Sequence, residues 1–221
     1  MGKRISGLLS EKDQMLGALG HDLRTPLTSL RIRVASMRPV PEREAVFATI
    51  DSMERMIEDI LTLARTGHTS ELASEIGITE LLAAVAQDFT SQKADVRITP
   101  APPIRWTLRP DLFGRAAGNL VDNAIRYGGC ARVGVMVEFD RLTITVDDDG
   151  PGVPPNRIDE ILQPFARLDH SRNRRTGGSG LGLAITKSIA NLHGGDLELR
   201  NRENGGLRAT LIVPRFAGDT V

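Results

Sequence analysis

A histidine, a carboxylate and a hydroxyl stand within five residues in Gly20-His21-Asp22-Leu23-Arg24-Thr25-Pro26-Leu27, a grouping suited to accepting and releasing a phosphoryl group. On a helix His21 and Thr25 lie four apart on one face, and Asp22 flanks the imidazole. Pro26 lacks the amide that would bond the Asp22 carbonyl, which predicts a bend beside the histidine. A proton acceptor, a neutral nucleophile and a group able to position water are thereby gathered in one place.

Three further groupings point to a nucleotide. Asn119 and Asn123 lie four apart, with Arg126 and Tyr127 one turn on, so both amides can face one pocket beside a cation and an aromatic ring. Amide oxygens are hard, neutral ligands, suited to a hydrated Mg²⁺ where ATP already supplies the negative charge; a solvated polar face accounts for either asparagine taken singly. Asp148-Asp149-Gly150-Pro151-Gly152 closes an apolar run. The Asp148 carboxylate can accept the exocyclic amine of adenine and would repel the oxygen that guanine presents there, and Gly150 and Gly152 let backbone approach a ligand, although a turn explains these glycines equally well. Gly177-Gly178-Ser179-Gly180-Leu181-Gly182-Leu183 leads into an apolar helix over 184–192, whose open amides and dipole would favour polyphosphate. A flexible turn is an equal reading of that run. It is neither a Rossmann fingerprint nor a Walker loop.

Other chemistries find little support. His68, His170 and His193 lack the mutual spacing of a metal site and read as surface or helix-end residues. Ser179 sits in no strand-turn-helix elbow, and Trp106 and Tyr127 are too isolated for a nucleic-acid stacking platform.

These groups need elements to position them. Met15, Leu19, Leu23, Leu27, Leu30, Val34 and Met37 recur at helical spacing up to Pro39-Val40-Pro41, which ends the first helix; Val46, Ile50, Met53, Ile57, Ile60 and Ala64 repeat the pattern on a second. Two helices cannot enclose so broad an apolar surface, so a second copy of the hairpin is expected, giving a homodimeric four-helix bundle. Beyond a linker near 66–70 the pattern changes. Helices are expected over 79–89 and 111–126, strands over 96–99 and 105–108, a hairpin over 133–139 and 142–146 turning at Asp140-Arg141, and another over 196–200 and 207–213 around Asn204-Gly205-Gly206. This is an α+β chain whose second part is an α/β sandwich with helices on one sheet face. The segment from Gly152 to Gly178, with Arg157, Arg167, Arg172, Arg174 and Arg175, reads as a mobile basic loop.

The 221 residues suit two modest domains, and 28 basic against 28 acidic residues argue against nucleic acid or an anionic membrane as the main partner. Cys130 is the only cysteine, which excludes an intrachain disulfide or a multi-cysteine zinc site and fits a reducing compartment. No apolar run approaches the ~20 residues of a membrane span. A soluble, cytosolic polypeptide is expected.

In their order these motifs resemble the cytoplasmic core of a sensor histidine kinase of the osmosensor EnvZ type. His21 to Pro26 is similar to its H box, Asn119 to Tyr127 to its N box, Asp148 to Gly152 to its G1 box, Gln163-Pro164-Phe165 to part of its F box and Gly178 to Leu183 to its G2 box. The resemblance implies a dimerisation and phosphotransfer hairpin over 1–66, a linker over 67–71 and, over 72–217, the Bergerat ATP-binding fold shared with gyrase, Hsp90 and MutL. It further implies His21 as phosphoacceptor, Asp22 as its acid/base partner and Thr25 as the residue positioning water against a regulator's phosphoaspartate. Asn123 would ligand Mg²⁺ with support from Asn119, Asp148 would read adenine and Arg167 would approach the phosphates from a lid. The implied partners are a second copy and the receiver domain of a response regulator, and the implied parent is a membrane-anchored sensor. Leu162 stands where the family's F box has an aromatic, which bears on lid packing. The alternatives are a phosphatase-dominant form, a nonenzymatic nucleotide-sensing dimeric scaffold, and an ATPase of the gyrase or MutL kind in which His21 is structural.

Overall fold

The structure is a computed structural model that describes residues 20, 22–36, 41–65, 69, 71–166 and 179–215. The chain divides into two compact units, Met1–Thr69 and Ser70–Val221.

In the first unit, helix α1 covers 22–35 and continues through Pro26, and α2 spans Pro41–Arg65. They run antiparallel: Gly20 lies against Leu61, Arg24 pairs with Glu58, and Arg31 reaches Asp51 at 3.1 Å and Glu54 at 3.4 Å. Exposed ion pairs of this kind contribute ~0–1 kcal/mol each, so packing holds the hairpin. Leu27, Val34 and Ile50 form its core, with Phe47 and Ile57 against them. The helical stripe is only half covered, since Leu23, Leu30, Met53, Met56 and Ile60 remain exposed. Helix α1 ends ahead of Pro39-Val40-Pro41, of which Pro39 and Val40 lie outside the described residues, and Pro41 opens α2, where its missing amide costs nothing. Met15, Leu19, His21 and Met37 lie outside the described residues.

The second unit begins with β1 (Ser74–Gly77), α3 (Ile78–Thr90), β2 (Asp95–Ile98), β3 (Arg105–Leu108) and α4 (Pro110–Gly128). It continues with β4 (Cys130–Glu138), β5 (Arg141–Asp147), a 3₁₀ turn (Pro155–Arg157), α5 (Ile158–Ile161), α6 (Gly182–Leu192), β6 (Asp196–Asn201) and β7 (Leu207–Pro214). The main sheet has the order β2-β4-β5-β7-β6, with β2 and β4 parallel and the other neighbours antiparallel; β1 and β3 pair separately. Register places Val133, Val146, Ala209 and Leu199 in one row, Ile144, Leu211 and Leu197 in the next, and Leu142 beside Val213 in a third. All are buried, and each valine, leucine or isoleucine among them contributes about 1.5–3 kcal/mol relative to exposure. Phe113, Ala117, Leu120 and Val121 of α4 and Ile185 and Ile189 of α6 complete the core. The opposite face carries polar residues: Arg132, Asp147, Arg208 and Arg200 stand in one register row, and Thr145 pairs with Thr210.

Three local expectations change. The first hairpin turns at Phe139-Asp140, because both residues take positive φ (45° and 60°) and Glu138 pairs with Arg141. The segment expected as a mobile basic loop contains the 3₁₀ turn and α5, stapled by the Arg157 guanidinium donating to Glu160 at 2.8 and 2.6 Å; Arg167, Arg172, Arg174 and Arg175 lie outside the described residues. Strand β1 was not anticipated, since Ser74-Glu75-Ile76-Gly77 has no alternation. No helix among the described residues is long and apolar enough to cross a membrane.

Candidate functional site

Helix α4 is the spine of the site. Pro110 opens it and Gly129 closes it in the left-handed conformation at φ 75°. Its flank bears Asn119, half-buried, whose Nδ2 donates to the Gly182 carbonyl at 3.2 Å and so ties α4 to the first residue of α6. Asn123, one turn on, is also half-buried, Arg126 donates to Asp122 at 2.8 Å, and Tyr127 is exposed.

At the carboxyl end of α4 the chain meets Asp148, which directly follows β5 and is buried. Its Oδ1 accepts from the Gly150 amide at 2.7 Å and the Leu207 amide at 3.0 Å, and its own amide donates to the Leu207 carbonyl at 3.0 Å. Oδ2 accepts no hydrogen bond from the described residues. A Cβ at Gly128 would collide with the Asp148 side chain, and one at Gly150 would stand 2.7 Å from the Tyr127 carbonyl. These glycines serve the close packing of helix end on loop, and the structure thus joins the Asn119–Tyr127 and Asp148–Gly152 groupings.

At the other end of the same helix stretch lies the start of α6. Gly180 has φ 72° and its carbonyl accepts from the Phe165 amide at 2.9 Å; Ser179 Oγ accepts from the Leu181 amide at 3.2 Å. Leu181 is fully buried, Leu183 is half-buried, and α6 has no side-chain cap at its amino terminus. Thr186 Oγ1 closes the first turn by donating to the Gly182 carbonyl at 2.9 Å. Leu162 is half-buried, while Phe165 is exposed and holds φ 63°. Gly178 and Arg167 lie outside the described residues, as does His21. Asp22 and Thr25 are exposed on α1.

Two supporting clusters escaped sequence reasoning. On the open sheet face, Arg132 forms a two-pronged pair with Asp149, Arg208 donates twice to Asp147 at 2.6 Å, and Arg202 reaches both aspartates. Hydrogen bonds from Arg132, Cys130 and Arg202 hold the Asp149 carboxyl below the usual carboxylate range, while burial, reinforced by Asp149, pushes the Cys130 thiol up. At the amino end of α4, Glu71 caps the helix by accepting from the Asp111 amide at 2.7 Å and the Leu112 amide at 3.2 Å.

His193 completes that second cluster. It stands at the helix end, as expected, but is buried rather than on the surface: Nδ1 donates to the Ile189 carbonyl at 2.8 Å, Nε2 accepts from the Arg109 amide at 3.0 Å, and the ring meets Phe113 edge-on. Accepting at Nε2 requires the neutral imidazole. Burial pushes its pKa below the ordinary value of 6.5, and nearby Arg109 acts in the same sense, against smaller opposing effects of the Ile189 carbonyl and Glu71. A folded-state pKa below the unfolded one means stability is complete above about pH 6.5 and falls beneath it, at most by about 1.4 kcal/mol per pH unit. Urea unfolding from pH 7.5 to 5.5 is expected to have a steeper pH slope in the native chain than in His193→Gln; equal slopes would remove this role.

The geometry sets an acidic residue behind a strand at one end of a helix stretch and a helix amino terminus with no side-chain cap at the other. Residues 109–217 match the family described as histidine kinase-, DNA gyrase B-, and HSP90-like ATPase, and residues 11–69 the His Kinase A (phospho-acceptor) domain. The sensor histidine kinase GtrS of Pseudomonas aeruginosa is 36% identical over 217 residues, covering 98% of this chain and 45% of GtrS. The solution structure of the histidine kinase domain of the E. coli osmosensor EnvZ is 31% identical, with a TM-score of 0.53, over 70% of this chain and 96% of that one. Full-length ShkA, solved in complex with AMPPNP, shares the fold at a TM-score of 0.70 and 22% identity, over 92% of this chain and 46% of that one. The chain belongs to the sensor histidine kinase family and carries its phospho-acceptor and ATPase modules. It spans about half the length of the curated relatives it matches.

Proposed function

We propose that this chain is the cytoplasmic catalytic core of a two-component sensor, and that it transfers the γ-phosphoryl group of ATP to His21 and then to an aspartate on a response-regulator receiver domain. The observation that carries this reading is the Asp148 carboxylate, anchored through one oxygen by two amides beside the end of a helix whose other flank meets the uncapped start of α6. Between Asn119 and Gly128 the helix rises about 13 Å. The ends of this span suit opposite ends of a nucleotide: a carboxylate accepts an adenine amine, and open amides at a helix start favour phosphate.

The imidazole of His21 attacks the γ-phosphorus in line; a P–N bond forms as the bond to the ADP oxygen breaks. An unperturbed histidine, with pKa near ~6.5, is sufficiently deprotonated at cytosolic pH. Asp22 orients the ring and offsets the positive charge that develops on it, so positioning and electrostatics do most of the work. Arg167, outside the described residues, is the proposed cation for the phosphates. Among the described residues no three histidine, cysteine or carboxylate side chains converge to cage a metal. The donor set fits a Mg²⁺ held chiefly by nucleotide phosphates and water, with Asn123 supplying an amide oxygen and Asn119 supporting it. Such an ion would neutralise charge on the transferring group.

The half-covered apolar stripe of the α1–α2 hairpin supports a homodimer, with a second copy burying Leu23, Leu30 and Met53. The regulator docks near His21 and Thr25. The exposed Thr25 positions water for regulator dephosphorylation; a Thr25→Ala chain is expected to lose most of that activity while still autophosphorylating, and full activity would leave the role unsupported. The parent is proposed to be anchored in the inner membrane. Incubation with Mg-ATP tests the whole reading: phosphoprotein is expected, whereas steady ADP release without phosphoprotein favours the gyrase-like or MutL-like ATPase.

A further inference from the structure

Beyond its own motif, where the Gly150 amide donates to Oδ1, Asp148 is held from two directions, the first being Arg132 of β4, whose Nη2 donates to the Asp148 carbonyl at 3.4 Å. The second is the β6–β7 turn, more than fifty residues downstream. Arg202 Nη1 donates to the Asp148 carbonyl at 2.6 Å, to Asp149 Oδ1 at 3.1 Å and to the Gly205 carbonyl at 3.3 Å, and its Nε lies 3.5 Å from Asp147 Oδ2. One guanidinium therefore touches three consecutive residues, 147 to 149. The turn keeps its own shape by the Arg202 amide donating to the Gly206 carbonyl at 3.0 Å. Asn201 grips the far side of the loop, accepting from the Val153 amide at 2.8 Å and donating to the Val153 carbonyl at 2.7 Å. Leu207 supplies one of the amides on Asp148 Oδ1. A side chain at Gly206 would drive into the Asp148 carbonyl oxygen, so turn and loop lie at backbone contact.

We propose that Arg202, assisted by Asn201, is a positioning residue for nucleotide recognition: it fixes the main chain of Asp148 so that the free carboxylate oxygen keeps its aim. Arg202 need not touch nucleotide; it acts through Asp148, and the inference rests on the base-reading role proposed above. Charge-assisted bonds to a backbone carbonyl and two carboxylates are the stronger class of hydrogen bond, and losing them frees a loop whose direction decides which base is accepted.

The test is ATP and GTP affinity of the whole chain, native and in Arg202→Ala, Arg202→Lys, Asn201→Ala and Asp148→Asn, with folding monitored by circular dichroism. Arg202→Ala is expected to weaken ATP about tenfold and to lower the preference for ATP over GTP, and Arg202→Lys to recover part of both. A purely structural role would lower the melting temperature without changing base preference in the folded fraction. Asn201→Ala, which removes only the Val153 clamp, should move the same two quantities in the same direction and serves if Arg202→Ala folds poorly. Native affinity and preference in the folded Arg202 and Asn201 variants, beside a loss in Asp148→Asn, would overturn this inference alone. An unaffected Asp148→Asn would overturn the base-reading role, and this inference with it.

Discussion

The His21→Gln chain is expected to take up no phosphoryl group from ATP while binding ATP as tightly as the native chain. The two halves of that statement have separate physical grounds. Proposed acceptor and nucleotide cradle belong to different compact units, and the cradle is built from α4, the Asp148 loop and the start of α6, all within 109–215. Replacing an imidazole in the first unit therefore removes the proposed nucleophile and leaves the proposed binding groups in place. Glutamine has similar helix propensity and an amide that cannot attack phosphorus at a useful rate, so the hairpin should survive without its chemistry. Phosphorylation would be measured by gel autoradiography and binding by titration of a fluorescent ATP analogue. Label persisting in His21→Gln would show that another residue is the nucleophile.

Asp148→Asn is expected to weaken ATP binding between tenfold and a hundredfold without unfolding the protein. Asparagine keeps one carbonyl oxygen, which can still accept the Gly150 and Leu207 amides that now reach Oδ1. The second oxygen becomes an amino group. It then presents donors to the adenine amine, itself a donor, so a charge-assisted bond is replaced by a mismatch; such a bond contributes roughly 1.5–3 kcal/mol, or about one to two powers of ten in affinity. The check is a titration beside a thermal melt. A native melting temperature with affinity lowered as stated supports base reading, and unchanged affinity removes it.

Much of this architecture was legible because the apolar periods are regular. The alternation Leu142, Ile144, Val146 marks a strand with one buried face, and the rows it forms with Leu211 and Ala209 are what that alternation predicts. The helical spacing in α2 is equally plain. Residues 74–77 have no such period, and β1 exists because its backbone pairs with β3. Phe139 carries no turn signature, yet it sits in the left-handed region because a two-residue connection requires it. Of the site, the Asn119–Tyr127 and Asp148–Gly152 groupings were legible as residues, and their contact came from the fold. Arg202 and His193 were not legible. An arginine in a glycine-rich turn reads as solvated surface, and its role depends on a strand crossing that brings residue 202 to residue 148. His193 reads as a helix end, and its burial follows from Phe113 and the Arg109 amide, some eighty residues away.

The central claim is that a histidine of this chain carries phosphate from ATP, and the nature of the bond tests it most directly. The native chain would be incubated with [γ-³²P]ATP and Mg²⁺, and the labelled protein held in acid and in base before counting. A phosphoramidate on histidine is lost in acid and survives base, and that pattern is the predicted result. Label that withstands acid, or ATP bound and turned over with no label retained at all, would contradict the account.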